Sequence, residues 1–239
     1  MKIAVCCKAI PGAVTDVGIS VDGTALEFQS QLQAMNECDE YALEEAAVLK
    51  QEYGGEITAL TMGPITTQDI LYLALAKGAD NAVRIDVRVQ DPYAASTVLA
   101  AALGKMEFDL VLTGTQSRDS LSSFVGVATA ARMGLPFAFA VTAVEKDGDQ
   151  SIKVRKELGG GRLADVRVEE RADPVEHVHA ITVAEDRVFD VLVLDVLNRL
   201  FRDLERPGHL LALVDVDVDI LVAVEEEHGN ADFRSAIRR

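Results

Sequence analysis

The sequence predicts an α/β fold: a mostly parallel sheet with helices on both faces, an antiparallel hairpin extension and a C-terminal arm. Three observations carry this. Short continuous apolar runs alternate with helical patterns from Ile3 to about Pro136, as the βα repeats of a parallel sheet do. From Phe137 to Glu169 helical patterns give way to two-fold alternation, with Asp147-Gly148 and Gly159-Gly160-Gly161 between the segments, the mark of antiparallel hairpins. Beyond residue 183 the pattern becomes irregular, so the expected division is an α/β domain over residues 1–183 and an atypical arm over 184–239.

The elements follow in order. Ile3 to Cys7 is a continuous apolar run and reads as a buried strand. Pro11 to Gln33 is polar and turn-rich, with Pro11-Gly12 and Asp22-Gly23 as turn signals. Asp39 is the expected N-cap of a helix whose apolar face is Ala42, Leu43, Ala46, Ala47 and Leu49, stopped by Gly54-Gly55. Glu56 to Met62 is the second strand. After Gly63-Pro64 a helix starts at Thr66 or Thr67, runs through Ala76 and ends by Gly78. Asn81 to Val87 is the third strand. Asp91 then caps a helix with Pro92 at its first position, Tyr93 to Leu103. Leu110 to Thr113 is the fourth strand, and a helix is expected from about Ser120 to Met133, closed by Gly134. Phe137–Val144, Ser151–Leu158 and Arg162–Glu169 are the hairpin strands, and Val175 to Val183 a final strand. In the arm, Val188 to Leu204 reads as a Val-heavy helix, and Leu210 to Val224 contains Val214-Asp215-Val216-Asp217-Val218-Asp219, a strand alternation.

Composition narrows the function. Asp and Glu number 39 against 23 Lys and Arg, giving a formal net charge of -16. Phosphate-backbone binding needs basic patches, so nucleic acid is excluded as a partner, and an anionic membrane surface is disfavoured. No apolar run reaches the roughly 20 residues of a bilayer helix, so no stable membrane insertion is expected. The N-terminus enters a strand with no signal-peptide pattern, and Cys6, Cys7 and Cys38 form no disulfide framework. A cytoplasmic location is expected.

In an open parallel sheet, ligands sit beyond the carboxyl ends of the strands, where the strand order reverses. The loops there include Cys6-Cys7-Lys8-Ala9-Ile10-Pro11, Met62-Gly63-Pro64, and Gly114-Thr115-Gln116-Ser117-Arg118-Asp119 followed by Ser120-Leu121-Ser122-Ser123-Phe124-Val125-Gly126. In the last, glycines permit close approach and short polar side chains precede a helix start, a ready phosphate site; on spacing alone it reads equally as an ordinary capped loop. Neither G-x-x-x-x-G-K-[ST] nor G-x-G-x-x-G after the first strand is present. His177 and His179 with Glu176, and Asp215, Asp217 and Asp219, read better as strand and solvated-face residues than as metal sites. Cys6 and Cys7 end a buried strand and read as small hydrophobes rather than nucleophiles.

Several ordered stretches together resemble the β subunit of electron transfer flavoprotein. They are Ile3-Ala4-Val5-Cys6-Cys7-Lys8, Asn36-Glu37-Cys38-Asp39-Glu40-Tyr41-Ala42-Leu43-Glu44-Glu45-Ala46, Met62-Gly63-Pro64, Ala74-Leu75-Ala76-Lys77-Gly78-Ala79-Asp80, Gly114-Thr115-Gln116-Ser117-Arg118-Asp119, Met133-Gly134-Leu135-Pro136 and Lys156-Glu157-Leu158-Gly159-Gly160-Gly161. The resemblance covers residues 1 to about 168. It implies an adenine-nucleotide α-hydrolase-like fold and an electron carrier without catalytic residues of its own. It implies a heterodimer with an α subunit that holds most of the FAD, passing electrons from flavin dehydrogenases such as acyl-CoA dehydrogenases to a quinone reductase or the respiratory chain. A structural AMP would occupy this chain's own crevice, touching Cys6, Asn36, Glu37, Cys38, Asp39, Met62, and the loop Gly114, Thr115, Gln116, Ser117, Arg118, Asp119, Ser120, Leu121, Ser122, Ser123, Phe124 and Val125. Glu37 stands where the family has Pro. Phe124 stands where it has Gln, leaving backbone N–H groups and Ser122 or Ser123 to receive a phosphate. From about residue 170 the sequence departs from the family. The alternatives are a bifurcating-type subunit with a second FAD, and a stand-alone adenine-nucleotide-binding module.

Overall fold

The computed structural model describes residues 1–12, 18–23, 26–27, 33–89, 91–148, 151–169, 179–183, 220–224 and 232–235. Strand β1 (Lys2–Cys6) is followed by two small antiparallel ribbons. One joins β2 (Ala9–Pro11) to β5 (Gln33–Met35), and the other joins β3 (Gly18–Ile19) to β4 (Leu26–Glu27). Then come α1 (Glu37–Tyr53), β6 (Glu56–Met62), α2 (Gln68–Ala76), β7 (Asn81–Ile85), α3 (Pro92–Leu103), β8 (Leu110–Gly114), α4 (Val125–Met133), β9 (Phe137–Lys146), β10 (Ser151–Glu157), β11 (Leu163–Glu169), β12 (His179–Val183), β13 (Ile220–Val224) and β14 (Asp232–Ser235).

One sheet holds the large strands in the order β11-β10-β9-β12-β8-β1-β6-β7-β13-β14. Pairings from β9 through β12, β8, β1 and β6 to β7 are all parallel. The chain builds outward from β1 through β6 to β7, then returns to lay β8 on the other side of β1. The strand order therefore reverses between β1 and β8.

The two faces bury separate clusters. Ile3, Val5, Ile57, Ala59, Leu110 and Leu112 meet Ala42, Leu43, Ala46 and Leu49 of α1 and Ile70, Leu71 and Ala74 of α2. On the opposite face Ala4, Leu60, Val83, Ile85 and Val111 meet Val98, Leu99, Ala102 and Leu103 of α3 and Ala130 of α4. Successive residues of a strand point to opposite faces, so these central strands carry apolar residues on both sides.

Most elements fall where the sequence places them, with three corrections. Asp39 is not the cap of α1: the helix starts at Glu37 with Asn36 as its N-cap, and Asp39 is buried in the first turn. The helix expected from Ser120 starts at Val125, because Leu121 and Ser123 adopt left-handed backbone (φ 52 and 48) that no helix continues. The third strand ends at Ile85 rather than Val87. The hairpin strands pair antiparallel as expected, β9 with β10 and β10 with β11, and β12 inserts between β8 and β9, parallel to both. This insertion pairs Ala180 with Phe137 on one side and with Val111 on the other, separations that leave no trace in local periodicity. In the arm, β13 pairs antiparallel with β7 and β14 with β13. Residues 175–178, 188–204 and 210–219 lie outside the described residues, as do both suggested metal groupings apart from the backbone of His179.

Leu112 lies at the centre of this sheet with no exposed surface. Leu112→Ala is expected to lower unfolding free energy by about 2–5 kcal/mol, read from the midpoint of urea denaturation.

Candidate functional site

The strand-order reversal opens a crevice of about 380 Å³ at the carboxyl ends of β1, β6 and β8. Its construction begins with Asp39. The Asp39 carboxylate leaves its own helix and accepts backbone hydrogen bonds from Lys8 N (2.8 Å), just past β1, and from Gly114 N (3.0 Å), at the end of β8. One side chain thus holds together the two strands that part at the reversal. Burial pushes its carboxyl up to about 7, against the opposing hydrogen bonds from Lys8, Asn36 and Gly114.

Asn36 repeats the device. It is buried, its Nδ2 donates to Gln116 O (2.8 Å) and its Oδ1 accepts from Arg118 N (3.1 Å), so it does not cap α1 with its side chain. Lys8 Nζ reaches the same loop, donating to Ser117 Oγ (3.1 Å) and Asp119 Oδ1 (2.7 Å). Partial burial works against ionisation of Asp119, but hydrogen bonds from Lys8 and Ser117 outweigh it and hold the carboxyl below its ordinary range.

Gly114 is a glycine because of Asp39. A Cβ there would lie 2.2 Å from Asp39 Oδ1 and 2.8 Å from Cys38 Cβ. Beyond it the loop carries strain: Leu121 and Ser123 have positive φ, a conformation that persists only where surrounding contacts enforce it. The strain delivers the chain to α4, whose first turn has Phe124 as N-cap and no side-chain cap. No side chain among the described residues caps its leading N–H groups, the arrangement that suits an anion. Two further polar atoms at the crevice, Thr61 Oγ1 and Thr113 Oγ1, are buried without a partner among the described residues. Such orphans mark places where a ligand or water completes the bonding. The apolar part of the wall is supplied by Cys6, Leu60, Met62, Val87, Val89, Leu99 and Val125. Burial pushes the Cys6 thiol up to about 12 and raises Cys7 as well, so both stay uncharged and unreactive at neutral pH.

Of the residues singled out from sequence, Cys6, Asn36, Asp39, Met62, Gly114, Thr115, Gln116, Ser117, Ser120, Ser122, Ser123, Phe124 and Val125 line the crevice. Glu37, Cys38, Arg118, Asp119 and Leu121 do not line it. Glu37 is exposed on the first turn of α1, so its charge is not presented to the crevice. Cys38 is half-buried beside Thr115. Arg118 contributes its backbone N–H to Asn36, Asp119 pairs with Lys8, and Leu121 is exposed. Sequence reasoning missed the far wall, Val87, Arg88, Val89, Asp91 and Pro92. The signal was available: the loop after the third strand of a parallel block ends on the same side as those after the first, second and fourth.

The model of the electron transfer flavoprotein domain family matches residues 25–175. The chain is 38% identical over 159 residues to the electron transfer flavoprotein subunit beta of Clostridium acetobutylicum, covering 65% of this chain and 61% of the relative. It is 31% identical over 174 residues to the subunit of the same name in Methylophilus methylotrophus (70% and 66%). It is 34% identical over 169 residues to the acryloyl-CoA reductase electron transfer subunit gamma of Anaerotignum propionicum (68% and 62%). The match spans less than two thirds of the length of each of these relatives.

Two outcomes are expected here. Gly114→Ala displaces Asp39 and is expected to destabilise the chain by more than about 2 kcal/mol, read by thermal or urea unfolding. Asp39 titrates near 7 when folded against an ordinary 3.8, so the folded state keeps a proton that the unfolded chain has released. Its contribution to stability is therefore full below 3.8 and is lost as pH rises through about 7. Denaturation curves between pH 4 and pH 8 should show this decline in the parent chain, and Asp39→Asn should flatten it.

Proposed function

Because the chain belongs to the electron transfer flavoprotein domain family, we propose that it is a β subunit of an electron transfer flavoprotein. In this reading it pairs with an α subunit that carries most of the FAD, and the pair accepts electrons from flavin dehydrogenases and delivers them to a quinone reductase or another acceptor. The flavin, when bound, supplies the electron-carrying ring. This chain supplies a scaffold and a structural nucleotide, AMP, in the crevice at the strand reversal, and performs no bond-making chemistry itself.

The observation that carries the nucleotide part is the crevice wall. An adenine ring suits the apolar surface of Cys6, Leu60, Met62, Val87, Val89, Leu99 and Val125. A phosphate suits the uncapped start of α4, and the orphaned hydroxyls of Thr61 and Thr113 suit ribose or base edges. Phe124, where the family carries Gln, offers no side-chain donor, so the phosphate is held by backbone N–H groups and by Ser122 or Ser123. The likeness to the electron transfer subunit gamma of acryloyl-CoA reductase supports a role beside an acyl-CoA-oxidising or -reducing flavoenzyme.

Co-expression with an α subunit tests this. Denaturing the copurified complex and separating the released nucleotides should give one FAD and one AMP per heterodimer. Two flavins and no AMP would replace this reading with that of a subunit holding its own FAD. A complex lacking flavin would overturn the electron-transfer role.

A further inference from the structure

The crevice wall carries two basic side chains, Lys8 and Arg88, and two acidic ones, Asp39 and Asp91. Three of the four are already engaged. Lys8 is neutralised by Asp119 at 2.7 Å. Both Asp39 oxygens accept backbone N–H groups. Asp91 Oδ1 caps α3 by accepting from Ala94 N at 2.9 Å. Arg88 differs: it is exposed, and it makes no ion pair or hydrogen bond among the described residues. It stands on the wall supplied by the β7–α3 loop, while the uncapped start of α4 supplies another part of the same wall.

Electrostatics makes this difference matter. The whole chain carries a formal charge of -16, so an anion approaching it meets a repulsive far field and needs a local positive charge at the site. Lys8 cannot serve without releasing Asp119 from the loop it orders. The guanidinium of Arg88, exposed and unengaged among the described residues, is shaped to present paired donors to phosphate oxygens.

We propose that Arg88 is the residue by which the crevice discriminates a phosphorylated adenine nucleotide from the bare nucleoside, facing the phosphate across from the start of α4. This rests on the reading of the crevice as a nucleotide site and adds a residue and a specificity to it. Arg88 contributes to the phosphate alone. The base and ribose are held by the apolar wall and the two orphaned hydroxyls.

The test titrates the full chain, freed of copurified nucleotide, with AMP and separately with adenosine in a calorimeter, for the parent, Arg88→Ala and Arg88→Lys. Arg88→Ala is expected to weaken AMP about tenfold, the loss of one solvent-accessible charge-assisted contact, and to leave adenosine unchanged. Arg88→Lys should fall between, and added salt should narrow the gap between parent and Arg88→Ala. Unchanged AMP affinity in Arg88→Ala, or an equal loss for AMP and adenosine, would overturn the assignment while leaving the nucleotide site standing. A parent chain that binds neither compound would overturn both.

Discussion

The architecture turns on a single carboxylate. In a parallel sheet whose strand order reverses, the two strands on either side of the reversal lead their chains away in different directions, and nothing in the backbone ladder holds their ends in register beyond the last pair. Here the ladder joins Cys6 to Thr113 and stops. Asp39 takes over one step further on, accepting from Lys8 N and Gly114 N at once. Burying a carboxylate is costly unless its oxygens are hydrogen-bonded, and these two bonds, with Asn36 beside them, are what make its position tenable. The cost remains visible in its raised proton affinity. From this clamp follow the glycine at 114, the ordering of the loop after β8 through Asn36 and Lys8, and the direction in which α4 enters.

The same clamp explains why the crevice is polar on one side and apolar on the other. The side bordered by α1 spends its polar groups on protein: Asn36, Asp39 and Lys8 are all satisfied within the chain. The side bordered by α3 and α4 offers an apolar surface, an uncapped helix start and the exposed guanidinium of Arg88. A ligand with a flat apolar body and one anionic end matches that second side without disturbing the first. The polar network is thus scaffolding for the binding surface.

Much of this was legible in the sequence because its causes are local. Ile3 to Cys7 and Leu110 to Leu112 read as buried strands since both faces are covered, leaving uninterrupted apolar runs. Asp91-Pro92 read as a helix start since capping and a fixed φ act over three residues, and the structure has that cap. The position of the crevice followed from the alternation alone. What was not legible depends on distant partners. Asp39 looks like a cap from its neighbours and is a clamp because of Lys8 and Gly114, the latter 75 positions away. Ser120 to Phe124 looks like a helix start, yet the contacts that hold Leu121 and Ser123 in left-handed backbone override it. The place of β12 between β8 and β9 is set by long-range pairing, and Arg88 joins the wall only because the turn after β7 brings it to the same end of the sheet.

The central claim is that the strand-reversal crevice is a pre-built adenine-nucleotide site. Amide hydrogen exchange of the full chain with and without AMP addresses it directly. Slowed exchange on AMP addition at Val125, Gly126 and Val127, with no change along β10 and β11, is the result this account requires. Exchange unchanged at the start of α4, or protection appearing instead along the hairpin strands, would contradict it.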